Sequence, residues 1–270
     1  MELRVAALEA LCIADPVAKC AAVHRLWAER ACRVLDPTAD LAEPAGLPGR
    51  PDRPRLVAPQ TLPQRSPFTP GGRAALLHAI AHIEFNAINL ALDAIWRFAG
   101  LPADFYLDWL RVADEEATHH ALVAEHLGTL GHGYGDFDAH DGLWTMAVKT
   151  RDDFLARMAL VPRTLEARGL DVTPGIQAKL AKAGDARAVA ILDVILRDEV
   201  GHVAIGNHWY RWACARDGLD PLATYPQLAA RYAAPKLKPP FNQEARRRAG
   251  FTADELAWLN GLETGLESPA

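Results

Sequence analysis

Apolar residues recur at helical spacing along most of the chain, and alternating strand patterns are scarce. Four stretches carry this pattern for long enough to form core helices. The spacing predicts these helices over residues 70–99, 102–127, 142–168 and 186–216. Long amphipathic helices joined by short connections pack their apolar faces together. The sequence therefore predicts an all-α protein built on a four-helix bundle.

Start and stop signals support these bounds. Thr69-Pro70 combines an N-cap residue with a proline in the first helical turn, and Gly100 follows the first long helix as a stop. We expect Gly169 to end the third helix. A separate short helix is then predicted from Thr173 to Ala183.

The flanking segments differ in composition from the bundle. Nine of the 19 prolines lie between residues 37 and 70, which argues against helix and central strand there. We interpret this segment as an extended arm, and Leu56, Val57 and Leu62 favour its wrapping the main body. The predicted organisation is an N-terminal helical segment, a Pro-rich arm, a four-helix bundle and an irregular tail ending in a short helix: 1–36, 37–68, 69–218 and 219–270.

Each long helix carries an acidic residue within its apolar stripe. A buried carboxylate without a partner costs several kcal/mol, or it stays protonated. Two of the helices add a histidine three residues after the glutamate, on the same face. These inward-facing residues are Glu84, Glu116, His119, Glu166, Glu199 and His202. Arg163 is the one nearby base that can pair with a member of the set, Glu166. A metal is the most economical partner for the others.

The positions of these residues repeat along the chain. Glu84 lies 16 residues before Gly100 and Glu116 lies 16 after it, so the two are level in an antiparallel hairpin. Glu166 follows Glu84 by 82 residues, and Glu199 follows Glu116 by 83. The sequence thus resembles a duplicated helical pair, each half supplying Glu and Glu-x-x-His. This is the ligand set of carboxylate-bridged di-iron and di-manganese bundles.

The register of the second helix is open, because Glu115–His119 and Glu116–His120 are also one turn apart. We prefer Glu116 with His119, since this pair matches the spacing in the fourth helix. Pro162 lies four residues before Glu166 and predicts a kink, which makes Glu166 the least regular of the six positions.

Further residues are candidates for supporting roles. Asp198 and Glu115 precede the two Glu-x-x-His motifs, and we expect them to hold metal-bound imidazoles in orientation. Trp109, Tyr210 and His120 are candidate cavity-lining residues, with a core role for the aromatics and a surface role for the histidine as alternatives. We expect structural or surface roles for His78 and His82.

Composition excludes several classes of protein. The 270 residues are 50% hydrophobic with a net charge of −5, which excludes global disorder and argues against nucleic-acid binding. The basic run Arg246–Arg248 is interpreted as a solvated helix face. The four cysteines form no CxxC motif, and neither a signal peptide nor an 18-residue apolar run is present. We expect a cytoplasmic protein without a membrane span.

Four runs resemble one uncharacterised family within the ferritin-like superfamily, known as the domain of unknown function 455. They are YGDFDAHDGLW (134–144), RMALVPRTLEARGLDVTPG (157–175), ILRDEVGHVAIGNHWY (195–210) and PPFNQEARRRAGF (239–251). The resemblance covers about residues 5–262. It implies a ferritin-like four-helix bundle and a dinuclear metal site at the same six residues, but it implies no substrate.

The leading functional hypothesis is a non-haem di-iron oxidoreductase that activates dioxygen on a small organic substrate and receives electrons from a donor protein. Two manganese ions or a mixed iron–manganese pair fit the same ligands. The alternatives are a ferroxidase or iron-handling protein, a non-catalytic helical interaction protein whose acidic cluster is hydrogen-bonded, and a non-redox metal enzyme. We expect a monomer or a dimer.

Overall fold

The structure is a computed structural model that describes residues 2–264, and it is helical. Met1 and residues 265–270, the end of the predicted tail, lie outside the described part. The helices are α1 Leu3–Cys12, α2 Pro16–Ala28, α3 Pro70–Arg97, α4 Ala103–Thr129, α5 Gly142–Lys149, α6 Phe154–Leu160, α7 Ala167–Lys182, α8 Ala186–Arg216, α9 Pro221–Arg231, α10 Gln243–Arg248 and α11 Ala253–Thr264. A π-helix spans Val161–Glu166. The predicted all-α class is confirmed.

The chain divides into two compact units. The first comprises the residues up to Trp144 together with Lys179–Ile191. The second comprises Thr145–Ala178 and the residues from Leu192 onward. Two of the long predicted helices, α3 and α4, belong wholly to the first unit.

The first unit is built on the antiparallel pair α3 and α4, with α1 packed on α3 and α2 on α4. The Thr69 hydroxyl accepts a hydrogen bond from the Gly72 amide at 3.1 Å, so the predicted N-cap of α3 is confirmed. Gly100 adopts φ +74° in the short connection to α4, a conformation that favours glycine. A connection this short places the two helices side by side.

α3 is long and apolar enough to cross a membrane by length and composition. However, 78% of its most apolar stretch is buried within the protein. This burial is typical of a core helix, because the apolar surface is covered by neighbouring helices.

The Pro-rich arm runs along the first unit and is held mainly by its backbone and by ion pairs. Gly49 donates its amide to the Leu11 carbonyl at 2.9 Å, and Lys19 donates to the Gly49 carbonyl at 2.9 Å. Arg50 forms a two-pronged pair with Asp141, each contact 2.8 Å long. Leu56, one of the apolar residues that favoured wrapping of the arm, stays 38% exposed.

The third predicted helix, 142–168, is wrong as a single element. The chain leaves helical geometry after α5, where the Thr150 hydroxyl donates to the Met146 carbonyl at 2.8 Å. It re-enters at α6, where Asp153 accepts from the Ala156 amide at 2.9 Å. The Thr150 amide still makes its helical bond to the Met146 carbonyl at 3.1 Å. The ladder ends at the next residue, where the Arg151 amide bonds the Val148 carbonyl at 3.4 Å, and Asp153 then caps a new helix. Apolar periodicity alone does not reveal the break.

α7 continues through Gly169 and Pro174, where we expected a stop and a restart. A proline inside a helix leaves the carbonyl four residues earlier without its amide donor. Here that carbonyl belongs to Leu170, and it accepts from the Asn242 side chain at 3.1 Å. A tertiary hydrogen bond thus compensates for a local helix breaker.

The predicted irregular tail is also partly wrong, because α9 and α10 form within it. Asp220 caps α9 by accepting from the Ala223 amide at 2.7 Å. Arg246 is not on a solvated face: it is 1% exposed and forms a two-pronged pair with Asp171 at 2.9 and 2.7 Å. The predicted capping box is confirmed, with reciprocal bonds between Thr252 and Glu255.

Arg4 anchors the start of the arm to the end of α3. Its guanidinium is 1% exposed and donates to the carbonyls of Trp96 and Ala39, each at 2.7 Å. Replacing Arg4 by Met leaves these buried carbonyls without donors. We expect the free energy of unfolding to fall by about 2–4 kcal/mol in urea titrations.

The matched control for this change is Arg30→Met. The Arg30 guanidinium donates to the Trp27 carbonyl at 2.7 Å in an exposed position, so its loss should change stability by no more than about 0.5 kcal/mol. Equal losses in the two variants would contradict the anchoring role of Arg4.

Candidate metal centre

Three of the predicted site residues meet inside the first unit. Glu84 of α3 is 3% exposed, and Glu116 and His119 of α4 are fully buried. The Nδ1 atom of His119 lies 3.3 Å from a carboxylate oxygen of Glu84 and 3.3 Å from one of Glu116. One ligand atom from each of the three residues lies within 4.8 Å of the others. This buried group could hold a metal ion.

The hairpin explains why these residues meet. Glu84 and Glu116 are equally far from Gly100 along the chain, so they lie at the same level of the antiparallel α3–α4 pair. Glu116 and His119 are three residues apart on one helix and therefore share a face. The apolar stripes of α3 and α4 bury that face, and the polar side chains are carried into the interior with it.

A cation would stabilise the two buried carboxylates of this group. Burial raises the pKa of Glu84 well above its ordinary value of 4.5, and the neighbouring carboxylate of Glu116 raises it further. The imidazole of His119 acts in the opposite direction but does not compensate. Two buried carboxylates and an imidazole form an oxygen-and-nitrogen donor set that suits iron, manganese or zinc. The residues present therefore fit a metal ion.

The structure also decides the register of α4. Glu115 forms an ion pair with Arg111 at 2.9 Å near the surface, with a quarter of its side chain exposed. The His120 Nδ1 atom is 2.9 Å from the Ala81 carbonyl oxygen. Glu116 and His119 are thus the inward pair, as we preferred. His120 itself is 4% exposed, so the alternative of a surface role is wrong.

The second unit holds the other three predicted ligands, each at least nine-tenths buried. Glu199 and His202 share a face of α8, and a carboxylate oxygen of Glu199 lies 3.9 Å from Nδ1 of His202. Glu166 is the last residue of the π-helix and is 9% exposed. The irregularity predicted at Pro162 is therefore present, and it takes the form of a π-helix. Such segments are frequent at functional sites.

Gly206 of α8 explains how the π-helix packs. A Cβ atom at this position would lie 2.5 Å from the Cβ of Pro162, which is closer than atoms can approach. Glycine is therefore required where α8 meets the proline ring. A glycine in a helix interior costs about 1 kcal/mol relative to alanine, and here the close contact accounts for it.

Arg163 pairs with other residues than Glu166, the partner that the sequence allowed. Its guanidinium donates to Asn207 at 2.5 Å and to Glu255 at 2.7 Å. Sequence reasoning missed this buried pair because its two residues are 92 positions apart. The capping box identified Glu255 only as a helix start.

Asp198 and Trp109 belong to the supporting set, and their proposed roles stay predictions. Asp198 forms an ion pair with Arg197 at 2.9 Å, and Glu115 pairs with Arg111 as described.

Trp109 is 2% exposed and packs near Phe105. Tyr210 is fully buried, and its hydroxyl donates to the Pro221 carbonyl at 2.7 Å. Both aromatic residues thus occupy core positions.

His78 and His82 have structural roles. The buried Nε2 of His78 accepts from the Gly135 amide at 2.9 Å. A ring nitrogen of His82 lies 2.9 Å from the Tyr134 hydroxyl. Both histidines therefore tie α3 to the glycine-rich loop that follows α4.

Comparison with known proteins identifies relatives but no activity. A family model described as "Protein of unknown function (DUF455)" matches residues 12–257. A protein of Haemophilus influenzae, named "Uncharacterized protein", is 49% identical over 270 residues, covering 96% of this chain and 94% of the relative. No solved structure matches the chain.

The raised pKa of Glu84 predicts how the metal-free protein responds to pH. The folded state keeps a proton on Glu84 that the unfolded state releases near pH 4.5. This contribution to stability is complete below pH 4.5 and is lost as the pH rises through the folded-state pKa. We expect the melting temperature of chelator-treated protein to fall more steeply with rising pH than that of the Glu84→Gln variant. If the melting temperatures of the two proteins changed in parallel with pH, the raised pKa of Glu84 would be contradicted.

Proposed function

Because the chain belongs to the DUF455 family, whose function is unknown, we propose from the candidate site that it is a dinuclear-metal oxidoreductase that uses dioxygen. The observation that carries the proposal is the pair of buried carboxylates, Glu84 and Glu116, beside the buried imidazole of His119. Burying such a group without a cation is costly, and nothing in ordinary packing requires it.

The proposed ligands are the six residues of the duplicated pattern. Glu84, Glu116 and His119 come from the first unit, and Glu166, Glu199 and His202 come from the second. The sequence repeat supports joining them into one centre, since each half contributes a lone glutamate and a Glu-x-x-His motif. Four carboxylates balance the charge of two divalent ions. The chain places these residues on α3, α4, the π-helix and α8, and ferritin-like metal bundles draw the same ligand types from four helices.

The protein side chains set what such a centre can do. Two iron ions would supply the electrons for dioxygen reduction, and a manganese or mixed pair fits the same donors. The six side chains would hold the two ions, which would supply the capacity to react with dioxygen. The apolar faces that bury Glu84 and Glu116 keep bulk water away. The imidazoles add neutral donors that do not raise the negative charge.

The proposal includes partners of a defined chemistry. A small organic molecule is the substrate, and a donor protein returns electrons after each turnover. The chain acts in the cytoplasm as a monomer or a dimer. A ferroxidase or iron-handling role is the alternative that the same ligands allow.

Metal content tests the ligand assignment directly. Wild type expressed with iron and manganese should contain about two metal ions per chain by elemental mass spectrometry. Glu116→Gln and His119→Ala should each lose most of this metal, because they remove donors from a buried site. Their circular dichroism should remain helical.

Two matched controls separate loss of ligands from loss of any charge. Glu125 lies on α4 like Glu116, but its side chain is 71% exposed, so Glu125→Gln should keep the wild-type metal content. His208 is an exposed residue of α8, and His208→Ala should likewise keep it. Correctly folded wild type without metal would refute the proposal and favour a non-catalytic interaction protein.

Oxygen uptake distinguishes the candidate activities. The reduced iron-loaded protein should consume dioxygen in an electrode chamber, and a substrate should raise the steady rate when a chemical reductant is supplied. Glu116→Gln should lower this rate at least about 100-fold, since the metal is lost. Uptake that stops after one stoichiometric oxidation of added iron, in a large multi-subunit assembly, would indicate iron storage.

A further inference from the structure

We propose that the ion pair between Arg163 and Glu255 is a positioning device that holds the π-helix in its irregular form and thereby sets the carboxylate of Glu166. The inference rests on the proposed function, in which Glu166 is a metal ligand. Its evidence lies wholly within the second unit. Arg163 is the third residue of the π-helix, and Glu166 is the last.

The Arg163 guanidinium is almost completely buried. It is 5% exposed and lies over the rings of Tyr210 and Phe251, with its central carbon 5.0 and 4.7 Å from the two ring centres. One nitrogen donates to the Asn207 side chain and another to Glu255. A buried guanidinium is stable only with such partners, because the desolvation cost is high. Arg163 is therefore constrained by α8 on one side and by α11 on the other.

Glu255 is itself fixed in place. Its other carboxylate oxygen accepts from Arg211 at 2.9 Å and from the Thr252 amide at 2.7 Å. The capping box thus does more than start α11, since it aims a buried carboxylate at the π-helix. Removing the Glu255 charge leaves the buried Arg163 guanidinium with neutral side-chain acceptors, such as Asn207, and no carboxylate opposite it.

Two further contacts hold the same segment. The Thr164 hydroxyl donates to the Ala159 carbonyl at 2.8 Å, five residues back, and lies 2.8 Å from the Tyr225 hydroxyl. Pro162 fits against Gly206, as described above. The second, third and fourth residues of the π-helix therefore each have a specific tertiary partner.

The consequence for Glu166 follows from helix geometry. Each residue turns an α-helix by about 100°, and a π-helix accommodates an extra residue within its wider turn. If the segment relaxed to α-helical geometry, the residues after it would turn about the helix axis by about 100°, which is the rotation of one residue. Glu166 would then leave its face of the helix. Pro162 disrupts the α-helical ladder locally, and the tertiary contacts of residues 162–164 then select the wide turn.

The test compares Glu255→Gln with wild type, each loaded with cobalt(II) as a spectroscopic probe. We expect Glu255→Gln to remain folded, to bind one of the two cobalt ions at least about tenfold more weakly, and to show an altered visible absorption spectrum. Glu166→Gln serves as the reference and should show the same change. Glu244→Gln is the control, because Glu244 pairs with Arg247 on the exposed surface of α10.

A second variant covers the case in which Glu255→Gln does not fold. Arg163→Lys keeps the buried positive charge but cannot bond Asn207 and Glu255 at once, so it should reproduce the weaker binding and the altered spectrum. If the positioning variants kept the wild-type cobalt affinity and absorption spectrum while Glu166→Gln changed both, this inference alone would be overturned. A wild-type protein that binds no cobalt would overturn the proposed function and the inference together.

Discussion

The burial of carboxylates within apolar helix faces is the constraint on which the rest of this structure depends. Glu84 and Glu116 are carried into the interior because they occupy core positions of the α3–α4 pair. Their mutual repulsion and desolvation oppose folding, as the raised pKa of Glu84 reflects. A bound cation would offset both the repulsion between the carboxylates and the cost of their desolvation. The helical pair is therefore stable enough to hold a costly arrangement, and the cost itself suggests that the arrangement serves a purpose.

The surrounding structure shows how such a site is supported. In the first unit, α1, α2 and the Pro-rich arm cover the α3–α4 pair, and Arg4 and Arg50 fasten the arm. In the second unit, α10 and α11 contribute to an apolar cluster and to the buried pairs Arg246–Asp171 and Arg163–Glu255. The arm in the first unit and the tail in the second therefore each pack on helices that carry candidate ligands. Precise positioning of ligands requires such support.

The departures from sequence expectation are concentrated between α5 and α7. Regular periodicity predicted one helix over residues 142–168, but the chain breaks between α5 and α6, and the π-helix and Pro174 follow. Each irregularity has a tertiary compensation, such as the Asn242 bond to the Leu170 carbonyl. Local rules fail where distant residues satisfy the backbone. Such failures are expected near functional sites, where strain is tolerated for positioning.

The sequence by itself determined the all-α class, the bounds of α3, α4 and α8 to within a few residues, and the inward pair of Glu116 and His119. These features depend on periodicity, caps and i to i+3 spacing, which are local properties of the chain. Only the tertiary structure decided the π-helix before Glu166, the course of α7 through Pro174 and the burial of Arg163, Arg246 and His120. Those features depend on contacts between residues far apart in the chain, such as Arg163 with Glu255, and no local pattern encodes them.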